Sequence, residues 1–281
     1  MINLEDLENQ VQDKLAGSPE VSSSNEFPNL ANGEAKRKWF KVDGVMVVFA
    51  DLKNSTSLGV NKHDKSTARI YEASTGVGVN LLQSFNPKYV EVQGDGFFGV
   101  FHDDGSSRLA ITAAMMLAYF SQNILEPRIR KAMEPKCPRT GLKVGVATGQ
   151  VLVKQIGTSG LEKPVWAGKP VNHAAKCAEG GDAHQIVVTR GVYDKVIGGN
   201  DFLEQPCYHP GHPKHGFSHS QPRAGSMWHY KDVTGIPDRC LARDVPWCSQ
   251  LTGEESVDQF MEKVIAGEKI RKTTWFQRNL A

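Results

Sequence analysis

Cysteine is scarce in this chain: five in 281 residues, at Cys137, Cys177, Cys207, Cys240 and Cys248, odd in number and widely scattered. Such a set builds no disulfide framework and points to reduced thiols in a cytoplasmic setting. No apolar run reaches the roughly 20 residues of a membrane helix. The acidic start, Met1-Ile2-Asn3-Leu4-Glu5-Asp6, has neither the basic opening nor the apolar core of a secretory signal. Charge of one sign is also sparse, with a formal net charge of +2 and no like-charged block longer than Lys36-Arg37-Lys38. No nucleic-acid groove and no membrane partner are expected, while a phosphate-bearing small molecule stays open.

What is present is ordinary for a globular protein: 40% hydrophobic and 23% charged residues, enough for one main domain with appendages. Leu4, Leu7, Val11 and Leu15 recur at helical spacing, so the N-terminus reads as an amphipathic helix that must pack on something, followed by a linker over residues 17–33. Residues 45–50 form a continuous apolar run, the pattern of a strand covered on both faces. Residues 65–85 have the length and spacing of a helix. Residues 89–92 and 97–101 read as two strands joined by Gln93-Gly94-Asp95-Gly96, a hairpin turn. A helix over 106–133 is expected to kink or break at Pro127. A second strand pair, 142–147 and 151–156, is expected to turn at Thr148-Gly149-Gln150, followed by a helix over 170–179, a strand over 185–189 and a helix over 192–197. The order implies an α+β fold, a mainly antiparallel sheet covered on one face by helices. Its organisation is expected to be an N-terminal helix and linker over 1–38, a main domain over 39–235 and a C-terminal extension over 236–281.

Two acidic positions stand out, because each closes an apolar run and neither has a packing reason to be acidic. Asp51 ends the run Phe49-Ala50-Asp51-Leu52, and Asp95 sits at the tip of the hairpin. A carboxylate pair delivered by strand ends is a common way to hold divalent metal on a triphosphate. After Asp51 the polar turn Asn54-Ser55-Thr56 leads into a helix, where exposed amides suit a phosphate. The structural alternative is that Asp51 and Thr56 merely cap that helix. Asn172 and Lys176, four residues apart on the expected 170–179 helix, share a face. Cys207, His209, His212, His215 and His219 are dense in histidine, but their spacing fits no common zinc pattern and Pro210, Pro213 and Gly216 mark a loop.

Together with Gly145-Val146-Ala147-Thr148-Gly149 and Gly168-Lys169-Pro170-Val171-Asn172, these segments resemble the catalytic domain of the class III nucleotidyl cyclases over residues 39–235. The resemblance implies a ferredoxin-like, palm-like domain. It implies two Mg²⁺ or Mn²⁺ ions held by Asp51 and Asp95 with help from the Leu52 carbonyl, a ribose oriented by Asn172 and a transition state stabilised from the position of Lys176. The family carries arginine there, and lysine keeps the charge but loses the two-pronged fork. A triphosphate-binding cation is expected among Lys214, Arg223 and Lys231. The family also implies a homodimer with composite sites, in which the aspartates and the Asn172 helix come from opposite subunits.

By position in the family, Glu91 and Val165 read the base, with Trp166 adding bulk. Glu91 is what guanine readers carry, whereas Val165 belongs to neither purine pattern. One acceptor with enlarged apolar walls suits a smaller base, so the chain resembles the bacterial pyrimidine cyclases of Pycsar anti-phage systems. UTP is the favoured substrate and cyclic UMP the favoured product, read by a separate effector protein. The alternatives are a cytidylate or guanylate cyclase, or a catalytically silent nucleotide-sensing or dimerisation module. A diguanylate cyclase is disfavoured because its Gly-Gly-Asp/Glu-Glu-Phe signature is missing.

Overall fold

The structure, a computed structural model, describes residues 3–31, 33–59, 64–133, 139–204, 227–244, 261–262 and 264–266. In chain order the elements are α1 (Leu4–Ala16), β1 (Val21–Ser24), α2 (Glu34–Arg37), β2 (Trp39–Leu52), α3 (Ser55–Gly59), α4 (Asp64–Tyr71), α5 (Val77–Gln83), β3 (Tyr89–Gln93), β4 (Gly96–Phe101), α6 (Ser106–Phe120) and α7 (Glu126–Met133). There follow β5 (Leu142–Ile156), β6 (Lys163–Gly168), α8 (Lys169–Glu179), β7 (Ile186–Val188), α9 (Arg190–Val192), α10 (Asp201–Glu204), β8 (His229–Lys231) and β9 (Cys240–Arg243). π-helical turns at Glu72–Gly76 and Ser121–Leu125 link α4 to α5 and α6 to α7. The second of these precedes Pro127, so the helix absorbs the missing amide in a widened turn rather than breaking.

Two compact units are present, Met1–Asp43 with Gln150–Gly168 and Gly44–Gly149 with Lys169–Ala281. In the smaller, β1 runs parallel to the start of β2 and β6 pairs antiparallel with the second half of β5. Lys36 pairs with Glu162 at 2.8 Å, Gln155 Nε2 donates to the Leu30 carbonyl at 3.0 Å, and Phe27 stacks on Trp166 with 6.1 Å between ring centroids. α1 buries none of its residues, and Leu4 and Leu15 are 78% and 81% exposed. The packing partner expected for its apolar stripe is therefore not found among the described residues.

In the larger unit the strand order is β3-β4-β2-β5-β7-β9-β8. β4 pairs antiparallel with both β3 and β2, β5 parallel with β7, and β9 antiparallel with β7 and β8. The Lys53 amide donates to Gly141 at 2.9 Å and Thr148 Oγ1 donates to the Val45 carbonyl at 2.8 Å, so β2 and β5 run in opposite directions. Alternation along the strands sends Met46, Val48, Ala50 and Leu52 into one core with Phe97, Val144 and Ile186, where Leu82 of α5 and Ile111 and Met115 of α6 cover them. The sheet continues to Arg243, so its last strand follows residue 235.

Two expectations are corrected. Residues 142–156 form one long strand instead of a hairpin, because Gly149, at φ +154°, bends the chain without reversing it. Its two halves then serve different partners, Val144 to Val146 pairing with β7 and Val151 to Ile156 with β6. The sheet is also not covered by helices on one face alone. A Cβ on Gly145 would lie inside contact distance of the Ala174 carbonyl and 2.5 Å from the Ala178 amide, so α8 packs directly on the face opposite the main core.

Candidate active site

Asp51 lies one residue beyond the last β2 residue paired with β4, and Asp95 lies in the turn from which β4 departs. Because Ala50 faces Phe97 across the ladder, both carboxylates fall at the same end of neighbouring strands. Both side chains are half-buried. Asp51 shares its face of β2 with Phe49, which stacks on its cross-strand partner Phe98 with ring centroids 6.1 Å apart. Glu91 opposes Phe98 on the outer strand and so belongs to that same face. The Tyr89 hydroxyl donates to Glu91 Oε2 at 3.0 Å. Burial first, and the Glu91 charge second, hold the Tyr89 phenol well above its ordinary range, so it stays a donor.

A further cation stands here that no motif marks. Lys143 Nζ lies 2.6 Å from Asp51 Oδ2, and the two side chains are only 14% and 27% exposed. Lysine in a strand start reads as a solvated residue, and only the antiparallel register of β2 and β5 sets it against Asp51. Lys53, two residues after Asp51, pairs instead with Asp182, whose carboxyl it holds below the usual range. Lys231, one of the three cations expected on the triphosphate, joins this group, 3.7 Å from Asp182 Oδ2 and bonded to Gln185 Oε1. Lys214 and Arg223 lie outside the described residues, as do Cys207 and the His209 to His219 cluster.

Asn54 adopts a left-handed conformation at φ +62° and donates through Nδ2 to the Arg139 carbonyl at 2.9 Å. Ser55 opens α3 half-buried and Thr56 is exposed. Thr140 Oγ1 donates to the Lys53 carbonyl at 2.6 Å, which with the Lys53 amide bond clamps the end of β2 to the start of β5. The Leu52 side chain is 1% exposed in the core, which anchors the backbone whose carbonyl the resemblance expects on metal.

Asn172 is not brought to this place within one chain. α8 starts beside Gly149, whose Cβ would meet Pro170 at 3.4 Å, and from Lys143 to Gly149 the strand rises about 20 Å. Asn172 is exposed on the first turns of α8. The Lys176 amine donates to the Gly235 carbonyl at 3.1 Å, in the connection between the edge strand β8 and its neighbour β9. Val165 and Trp166 belong to the smaller unit. Val165, paired with Lys154, is 42% exposed, and Trp166, paired with Val153, turns to Phe27.

The donor set suits a hard divalent cation. Asp51 and Asp95 offer carboxylate oxygens, one of which is held by the Lys143 ammonium. Among the described residues no cluster of three or more His, Cys, Asp and Glu forms a closed cage. Mg²⁺ on nucleotides usually keeps phosphate and water oxygens beside one or two carboxylates. No helix among the described residues is long and apolar enough to cross a membrane.

Comparison with known proteins identifies the family. Residues 38–203 match the adenylate and guanylate cyclase catalytic domain. A uridylate cyclase of Micromonospora echinofusca is 37% identical over 286 aligned positions, covering 99% of this chain and 88% of that protein. A uridylate cyclase of Propioniciclava tarda is 36% identical, covering 83% and 72%. An adenylyl cyclase from P. aeruginosa superposes with a TM-score of 0.55 at 14% identity, over 73% of this chain and 94% of that one, which speaks to fold. With the matched domain spanning more than half its length and carrying both strand-end aspartates, the chain belongs to the adenylate and guanylate cyclase catalytic domain family and is a nucleotidyl cyclase.

Proposed function

We propose that this cyclase converts UTP to 3′,5′-cyclic UMP and pyrophosphate, with Asp51 and Asp95 holding two Mg²⁺ or Mn²⁺ ions and the Leu52 carbonyl assisting. The observation that carries the reading is the placement of both carboxylates at one sheet end, with Glu91 on the same face. Bound there, the metal would acidify the ribose 3′-hydroxyl and neutralise charge on the α-phosphate and the departing pyrophosphate. The 3′-oxygen forms a bond to the α-phosphorus as the bond to pyrophosphate breaks, and the hydroxyl proton is released.

The protein's own groups supply recognition and positioning. Glu91, held at Oε2 by Tyr89, turns its other oxygen to the base, where uracil offers a ring N–H. Asn54, Ser55 and Thr56 border the phosphates, and Lys231 is the one of the three expected cations that lies within the described residues, beside Asp182. Asn172 orients the ribose and Lys176 stabilises charge on the pentavalent phosphate. Since Asn172 stands away from Asp51 in one chain, the α8 pair acts on the nucleotide of a second copy, and the protein works as a homodimer with composite sites. The exposed Val165 and its neighbour Trp166 then border the base of the partner's nucleotide.

The names of the two uridylate cyclase relatives support uracil over guanine. The setting we propose is cytoplasmic, with cyclic UMP serving as a second messenger of anti-phage defence that a separate effector reads. The test is incubation of purified protein and Mn²⁺ with UTP, CTP, GTP and ATP in turn, with the products identified by mass. Cyclic UMP is expected as the main product, and faster turnover of GTP or CTP would overturn the base assignment.

A further inference from the structure

The ion pair at Asp51 is built into the sheet. Lys143 and Asp51 oppose each other across β2 and β5, and the flanking backbone is clamped by the Lys53 amide to Gly141 at 2.9 Å and by Thr140 Oγ1 to the Lys53 carbonyl at 2.6 Å. The other lysine on this edge of β2, Lys53, is engaged by Asp182, so the cation assigned to Asp51 is Lys143. At 14% and 27% exposure water screens the pair incompletely.

We infer that Lys143 holds divalent metal off Asp51 until a nucleotide arrives, so that metal and triphosphate load together. The inference rests on the reading of Asp51 as a metal ligand. A carboxylate with one oxygen held 2.6 Å from a full positive charge offers a second cation little attraction. A dication on the remaining oxygen also stands within a few ångströms of the ammonium, where repulsion in this half-buried place is strong. A triphosphate reverses the balance, because its own negative charge offsets the ammonium and adds oxygen ligands. Lys143 is thus a positioning residue that makes metal affinity depend on substrate. It also keeps Asp51 paired and oriented while the site waits.

The experiment is a titration of Mn²⁺ into the full-length chain without nucleotide, with the free ion followed by its paramagnetic resonance signal. Lys143→Met and Lys143→Gln, which keep most of the aliphatic stem, should each bind Mn²⁺ about tenfold more tightly than the unmodified chain, equivalent to about 1.4 kcal/mol. Lys143→Arg, which keeps the charge, should stay close to the unmodified chain. Asp51→Asn should remove binding in every background. Equal or weaker affinity in both neutral variants, with binding still dependent on Asp51, overturns the role of Lys143 and leaves the metal site intact. Mn²⁺ binding indifferent to Asp51→Asn overturns the metal-site reading itself.

Discussion

His184 has no part in the proposed chemistry, yet both of its ring nitrogens are held at the edge of the site. Its Nδ1 lies 2.8 Å from Ser121 Oγ and its Nε2 3.1 Å from Glu126 Oε2, and its backbone sits at φ +67°. Ser121 Oγ accepts from the Leu142 amide at 2.6 Å, so the imidazole anchors the start of the strand that carries Lys143. Burial lowers the His184 pKa and outweighs the upward pull of Glu126, so the imidazole is neutral near pH 7 and its Nε2–H donates to the Glu126 carboxylate. With the folded pKa below the unfolded value of about 6.5, the stabilisation is complete above that pH and is lost as pH falls through the folded value. The melting temperature should therefore drop between pH 7 and pH 5, and less steeply in His184→Asn, as scanning calorimetry at a series of pH values would show. None of these contacts was visible in the sequence, where Ser121, Glu126 and His184 are unremarkable and far apart. Asp51 and Asp95 were legible because an acid ending an apolar run has no packing reason, whereas Lys143 and His184 sit where such residues are common.

At the level of elements, α8 and β5 decide how the sheet is used. α8 presents small buried residues, Ala174, Cys177 and Ala178, to the strand, and Gly145 leaves room for their backbone. Gly145→Ala would force the two elements apart, an overpacking against backbone that side-chain rotation cannot relieve. A loss of about 3 kcal/mol is expected in urea melts, at the upper end of ordinary overpacking. Most elements could be read from periodicity, including the β3–β4 hairpin and α8 itself. The hairpin expected at Thr148-Gly149-Gln150 could not, since a glycine between two apolar runs fits a reversal and a bend equally well. What separated them was the presence of β6 as the antiparallel partner of the second half of β5.

For the whole molecule, the distance between the carboxylate end of β2 and the start of α8 is the controlling fact. Asp51→Ala and Lys176→Ala should each lower turnover, the first to background. Mixed after subunit exchange, the two variants should regain about a quarter of the unmodified activity, since half the dimers are hybrids and each hybrid has one intact site of two. Steady-state release of pyrophosphate measures this, and no gain on mixing would sink the composite site. The stripe on α1, with Leu4 and Leu15 largely exposed, finds no packing partner among the described residues.

The sequence by itself determined the family, the α+β class and the two strand-end carboxylates, because these depend on local patterns: apolar runs, turn residues and helix spacing. The tertiary structure alone decided that Lys143 stands against Asp51, that α8 crosses the second face of the sheet and that Asn172 is remote from the aspartates of its own chain. Each of these follows from strand register and from which partner each strand half finds. Such long-range pairings are set by the packing of the whole sheet, and no local stretch of residues encodes them.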